Sequence, residues 1–92
     1  MSKFKEFYDV EPDDIAVDIC ENQWRVVDKY TDIKKVIDDF GIIQNVRETI
    51  HSPDFGTYTG FIVGQLIDDP REFVCFPYSD EGAEDCVGVP SN

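Results

Sequence analysis

The stretch "YTGFIVGQLIDDPREFVCFPY", residues 58–78, restricts the fold more than any other part of the chain. In its first half Phe61, Val63 and Ile67 fall on one side of an extended backbone, and Ile62 and Leu66 on the other. A strand that is apolar on both faces has to be covered on both, so it belongs in the middle of a sheet with packing above and below. Pro70 presets a turn beside Asp68 and Asp69, and "EFVCFPY" then returns alongside. Pro77 has no backbone donor and marks the end of that strand or an outer edge.

Upstream, "IAVDICENQWRVVDKY" reads as a β-hairpin. Ile15, Val17 and Ile19 alternate with Ala16, Asp18 and Cys20, and Trp24 and Val26 continue the alternation after "EN". The turn has no Asn-Gly or Asp-Gly, which leaves room for a longer or bulged loop. In "TDIKKVIDDFG" the period changes: Ile33, Val36, Ile37 and Phe40 stand at i, i+3, i+4 and i+7, one face of a helix. Thr31 can cap its start, and Gly41 can take the positive φ that ends it. "IIQNVRETIHS", residues 42–52, fits a helix through Ile42, Val46 and Ile50 and a strand through Val46, Glu48 and Ile50. Its β-branched content and the turn signal "SPDFG" that follows favour the strand. The expected order is therefore hairpin, helix, three-strand meander: an α+β domain with a mostly antiparallel sheet of about five strands and one main helix on one face. Residues 1–92 form one domain, with a partly ordered segment at 1–14 and a loose acidic tail at 79–92.

The core needs apolar side chains only, yet the chain carries 20 acidic residues against 8 basic ones, a formal charge of −12. Such an excess repels phosphate, so direct binding to nucleic acid or to an anionic membrane is not expected, and a cationic partner is. Solubility, or life in high salt, would select a similar surface. The first residues contain no apolar run of the kind found in secretion signals, and no stretch reaches the length of a membrane-spanning helix, so a cytoplasmic protein with reduced thiols is expected. Cys20, Cys75 and Cys86 contain no Cys-x-x-Cys pair, and with His51 as the only histidine they offer no short-spaced zinc set. Neither "DVEPDD" nor "SDEGAED" matches a calcium loop. Glycines in "GTYTGFIVG" are wrongly spaced for a phosphate loop, and no carboxylate pair or Cys–His pair stands out as catalytic. No cofactor, no metal and no enzymatic activity are expected.

Two local features run against folding rules. The helix carries Lys34 and Lys35 in its first turns and Asp38 and Asp39 in its last, the reverse of what the helix dipole favours, at about 0.3–1 kcal/mol for each exposed charge. The turn "DDPRE" holds three acids where one suffices to close it. Rules broken without structural return point to function. Asp28, Asp32, Asp38, Asp39, Asp68, Asp69 and Glu72 are thus the candidate partner-binding residues. One strand cannot match the charge spacing of a duplex, about 1.7 Å per charge, so several elements have to contribute. In charge and size, though not in any motif, the chain is similar to the small DNA-mimic inhibitors made by phages and mobile elements. The expectation is an acidic protein that binds and blocks a basic, nucleic-acid-binding surface of another protein. The alternative is an adaptor or immunity-type protein that binds through an apolar hairpin, with Phe73, Phe76 and Tyr78 as anchors and the acids as rim.

Overall fold

The computed structural model describes residues 3–79, 82–83 and 87–91. In chain order its elements are β1 (Lys3–Phe4), β2 (Ile15–Asp18), β3 (Gln23–Tyr30), α1 (Ile33–Phe40), α2 (Val46–Ile50), β4 (Tyr58–Leu66), β5 (Phe73–Ser79), β6 (Gly82–Ala83), β7 (Val87–Gly88) and β8 (Pro90–Ser91). The body is a curled antiparallel sheet of four strands, β5-β4-β3-β2, which two-residue strands extend at its edges as β6-β5-β4-β3-β2-β7. A separate two-stranded ribbon joins β1 to β8. The fold class is α+β, as the sequence indicates.

β4 and β5 form the expected hairpin, with Gln65 opposite Phe73 and Ile62 opposite Phe76. Phe61, Ile62 and Val63 are all buried, so β4 is covered on both faces. One layer holds Val26, Ile62, Val74, Phe76 and Tyr78 with Val10 and Val89 brought in from near the chain ends. The other holds Phe61, Val63 and Cys75 under Ile33, Val36 and Val46 of the two helices. Full burial of a side chain such as Val, Ile or Phe contributes about 1.5–3 kcal/mol, and both layers are built almost entirely of such groups. Among the described residues the only buried polar one is Thr49, whose hydroxyl donates to the Asn45 carbonyl at 2.7 Å. Gly60 is required at its place, because a Cβ there would overlap the Phe7 ring that packs over the sheet.

The main correction concerns residues 42–52. They do not form the first strand of a meander; they give the short helix α2, and β3 takes the place beside β4, pairing from Trp24–Leu66 to Tyr30–Phe61. The cause is packing. Val46 and Thr49, one helical turn apart, are both buried, whereas an extended chain would send them to opposite sides. β3 also outruns β2, which pairs only with Gln23–Arg25; beyond it Val26 bonds to the backbone of Asp13 and Asp14, and β3 pairs with β4 up to Tyr30. Of the expected strand only Gln44 survives, as a single parallel bridge to Val74.

Smaller differences follow the same logic. The inward face of β2 carries Ala16, packed opposite Trp24, so Ile15 and Ile19 point outward. α1 is capped by Asp32, whose carboxylate accepts from the Lys34 amide at 2.9 Å, rather than by Thr31. Gly41 ends the helix at φ +81°. Pro77 lies inside β5, two residues before its end, opposite Phe61 on the inner side and just before the pairing with β6 begins at Tyr78. Within the segment expected to be a loose tail, β7 pairs with β2, β8 pairs with β1, and Val89 is buried. Asp80, Glu81, Glu84, Asp85 and Cys86 lie outside the described residues. Among the described residues no helix is long and apolar enough to cross a membrane.

Candidate functional site

Whether the acidic excess forms a usable surface depends first on where the cations are. Lys5 pairs with Asp14 at 3.1 Å, Arg25 with Asp13 at 2.8 Å and Arg71 with Asp69 at 3.1 Å. Lys29 donates to the carbonyl oxygens of Phe7 and Tyr8 and sits 5.2 Å from the Phe7 ring centre. Four of the basic side chains are thereby held by local structure. The i,i+4 pairs Lys34–Asp38 and Lys35–Asp39 along α1 do not close into ion pairs, so the reversed helix charges remain uncompensated among the described residues.

The seven candidate acids divide between structural use and free display. Asp32 is the α1 cap. Asp69 accepts from the Arg71 amide at 3.1 Å and from its guanidinium, and these bonds hold its carboxyl below the ordinary value. Asp28 accepts from the Lys29 amide at 2.8 Å, and Asp39 from the Tyr30 hydroxyl at 2.9 Å. Asp38, Asp68 and Glu72 are exposed, and their carboxylates accept no hydrogen bond and form no ion pair among the described residues, although the Glu72 charge acts on neighbouring Arg71.

Tyr30 organises the first group. Its hydroxyl is pushed up to about 12 by burial, by its bond to Asp39 and by the charges of Asp39 and Asp28, so the two carboxylates flank one phenol from β3 and α1. Asp38 stands next to Asp39 on the exposed face of the helix. The second group, Asp68, Asp69 and Glu72, lies on the β4–β5 turn. The two groups lie toward opposite ends of β4: Asp28 and Tyr30 pair with Val63 and Phe61, whereas Asp68, Asp69 and Glu72 follow its last residue, and the Phe40 ring lies between them, 6.1 Å from Tyr30 and 5.4 Å from Phe73. Asp32 stands apart at the other end of α1, about 10 Å away along the helix axis.

At the β4–β5 turn end the curl of the sheet leaves an open groove of about 510 Å³. One wall is Asp18, Ile19 and Cys20; the other is the stretch Ile42–Asn45 with Arg47 and Glu48; buried Val74 lies at the base. Ile19 is 74% exposed and Ile42 51%, so the groove has uncovered apolar lips. Asp18 builds the first wall. Its carboxylate accepts from the amides of Cys20 and Asn22 at 2.9 Å, from the Asn22 side chain at 3.1 Å and from the Trp24 indole at 3.2 Å. Burial opposes its ionisation, but these donors together hold its carboxyl below the ordinary value. On the second wall the Asn45 side chain donates to the Cys75 carbonyl at 2.9 Å, anchoring the segment to β5.

Sequence reasoning missed both Asp18 and the groove. The signal for Asp18 was present: an Asp followed at i+2 and i+4 by backbone donors is an Asx-type turn, and "DICEN" contains it. The groove depends on the placement of residues 42–48 against β5, which no local pattern states. The apolar anchors named for the adaptor alternative do not serve, since Phe76 and Tyr78 are fully buried and Phe73 is half-buried under Phe40. Cys75 is also buried, and burial pushes its thiol up to about 12, whereas Cys20 is exposed. His51 is exposed and forms no metal-binding group with the described cysteines or acids. The chain matches no protein-family model, no curated protein and no solved structure, so its function has to be read from its own residues.

Proposed function

We propose that this chain is a small acidic interaction protein that binds a basic, nucleic-acid-binding surface of another protein and blocks it, as a DNA-mimic-like inhibitor does. The observation that carries the reading is the division of labour among charges. Lys5, Arg25, Lys29 and Arg71 are held in local contacts, while Asp38, beside the Asp28–Tyr30–Asp39 group, and Asp68 and Glu72, on the β4–β5 turn, are exposed, and their carboxylates accept no hydrogen bond and form no ion pair among the described residues.

These carboxylates are borne on a helix, a strand and a turn that two packed layers hold in place, so little backbone freedom is lost when a partner binds. Fixed like charges steer a cationic surface toward them and raise the rate of encounter. Asp69 and Asp32 belong to the scaffold of this surface more than to its contacts.

The test is competition on a captured partner. The chain, immobilised and exposed to lysate of its native cell, is expected to retain a basic protein that is released by added duplex DNA and by raised salt. Asp38→Asn with Asp39→Asn should weaken retention. A retained partner indifferent to salt, to duplex and to both substitutions would contradict electrostatic mimicry.

A further inference from the structure

The acidic surface borders a groove that the charges alone do not explain. We propose that the groove between the Asp18–Cys20 wall and the Ile42–Asn45 wall receives a basic, apolar-studded segment of the partner, whose apolar side chains seat between the walls while its cations meet the carboxylates around them. This deepens the reading above and rests on it for the charge of the partner.

Three observations converge. Ile19 and Ile42, on opposite lips, leave most of their side chains in water, and of the exposed isoleucines Ile15, Ile19, Ile42, Ile50 and Ile67 these two line the groove. Covering such a side chain contributes about 1.5–3 kcal/mol, so the lips supply binding energy that carboxylates in water cannot. The walls are fixed before anything binds: Asp18 ties one through four hydrogen bonds, and Gln44 ties the other by donating its amide to the Phe73 carbonyl at 3.2 Å and accepting the Cys75 amide at 2.9 Å. The third observation is charge. Asp18 and Glu48 outnumber Arg47 in the lining. The acidic β4–β5 turn is tied close by: the Ile67 amide donates to the Gln23 carbonyl, and Phe73, which follows the turn, accepts from the Gln44 amide of the second wall.

Charge also selects among occupants. A second copy of the chain would bring another −12 to the same place, and an acidic or phosphorylated segment would meet the same repulsion. A segment of alternating apolar and cationic residues satisfies the lips and the rim together.

Cys20 lies in the lining and serves as the reporter, with Cys86→Ser introduced to leave buried Cys75 as the only other thiol. The rate of maleimide alkylation is measured in the presence of a synthetic peptide of alternating leucine and arginine. Protection of about tenfold is expected once the free peptide reaches about ten times its Kd, by mass action. Ile42→Lys, at an exposed position that leaves the core intact, should abolish that protection while the circular dichroism spectrum stays unchanged. A serine–arginine peptide of equal charge should protect little, and a leucine–glutamate peptide not at all. Equal protection by the serine–arginine or the leucine–glutamate peptide, no protection by any of them, or a concentration-dependent dimer that shields Cys20 would each overturn the assignment. Peptide protection in a chain that retains no duplex-competed partner sinks the inhibitor reading alone. A duplex-competed partner that leaves the alkylation rate of Cys20 unchanged sinks the groove alone.

Discussion

Asp39 shows how one carboxylate can serve structure and display at once. One of its oxygens accepts from Tyr30, and the residue itself stays exposed at the end of α1. A phenol that donates to a carboxylate is harder to ionise, and burial adds to the effect, which is why Tyr30 stands near 12. Because the folded value lies above the unfolded one, the stability this group contributes is complete below about pH 10 and is lost as pH rises through 12. Asp39→Asn should therefore bring the Tyr30 ionisation down toward 10 without reaching it, since burial remains; a phenolate absorbance titration near 295 nm reads it directly. An unchanged midpoint would place the cause in burial alone. At this scale the sequence was legible where one residue type does one local job, as with Asp69 in its turn. It was not legible where adjacent residues compete: Thr31 and Asp32 are both good caps, and only the backbone of Asp32, extended at φ −136°, decides between them. Tyr30 went unnoticed because its hydrogen-bond partner, Asp39, comes from another element.

The elements divide in the same way. α1 and the β4–β5 hairpin were plain from periodicity, since a seven-residue helical pattern and a two-faced apolar run are both local. α2 was not, because β-branched content argues for a strand while the spacing of Val46 and Thr49 argues for a helix, and only contact with β5 settles the matter. Once β3 pairs with β4, no room beside β4 remains for residues 42–52. Three substitutions test these assignments by chemical denaturation. Asp32→Ala removes the cap of α1 and should cost about 0.5–2 kcal/mol, while Thr31→Ala should cost a few tenths at most. Gly60→Ala drives a methyl into Phe7 and should cost about 1–3 kcal/mol, with loss of the Phe7 packing on Tyr78 as the visible sign in aromatic circular dichroism. A neutral Gly60→Ala would mean that Phe7 does not lie on the sheet.

For the molecule as a whole, the two apolar layers hold the fold and the net charge opposes it. Repulsion among exposed carboxylates is screened over about 10 Å at 0.1 M salt, so the melting temperature at neutral pH should rise with added salt. Mild acidification should also stabilise the chain by lowering its charge, but only to a limit. Asp14, Asp18 and Asp69 are held below their ordinary value of 3.8, by the Glu11 amide, by the donors of the Asp18 turn and by Arg71 respectively. A depressed folded value means that their contribution is present above 3.8 and is lost as pH falls through the folded values, so stability should peak in weak acid and fall below about pH 4. The acidity was legible in composition; the groove beside it and the tying of the cations were not, because both arise from contacts between distant segments.

The most direct measurement replaces Asp38, Asp68 and Glu72 by their amides and records thermal unfolding at low and at high salt. If these groups are surplus to folding and held in place for a cationic partner, the variant melts higher than the parent at low salt and the two converge as salt is raised. A variant that melts lower than the parent at low salt would show that the carboxylates stabilise the fold, and would contradict the account.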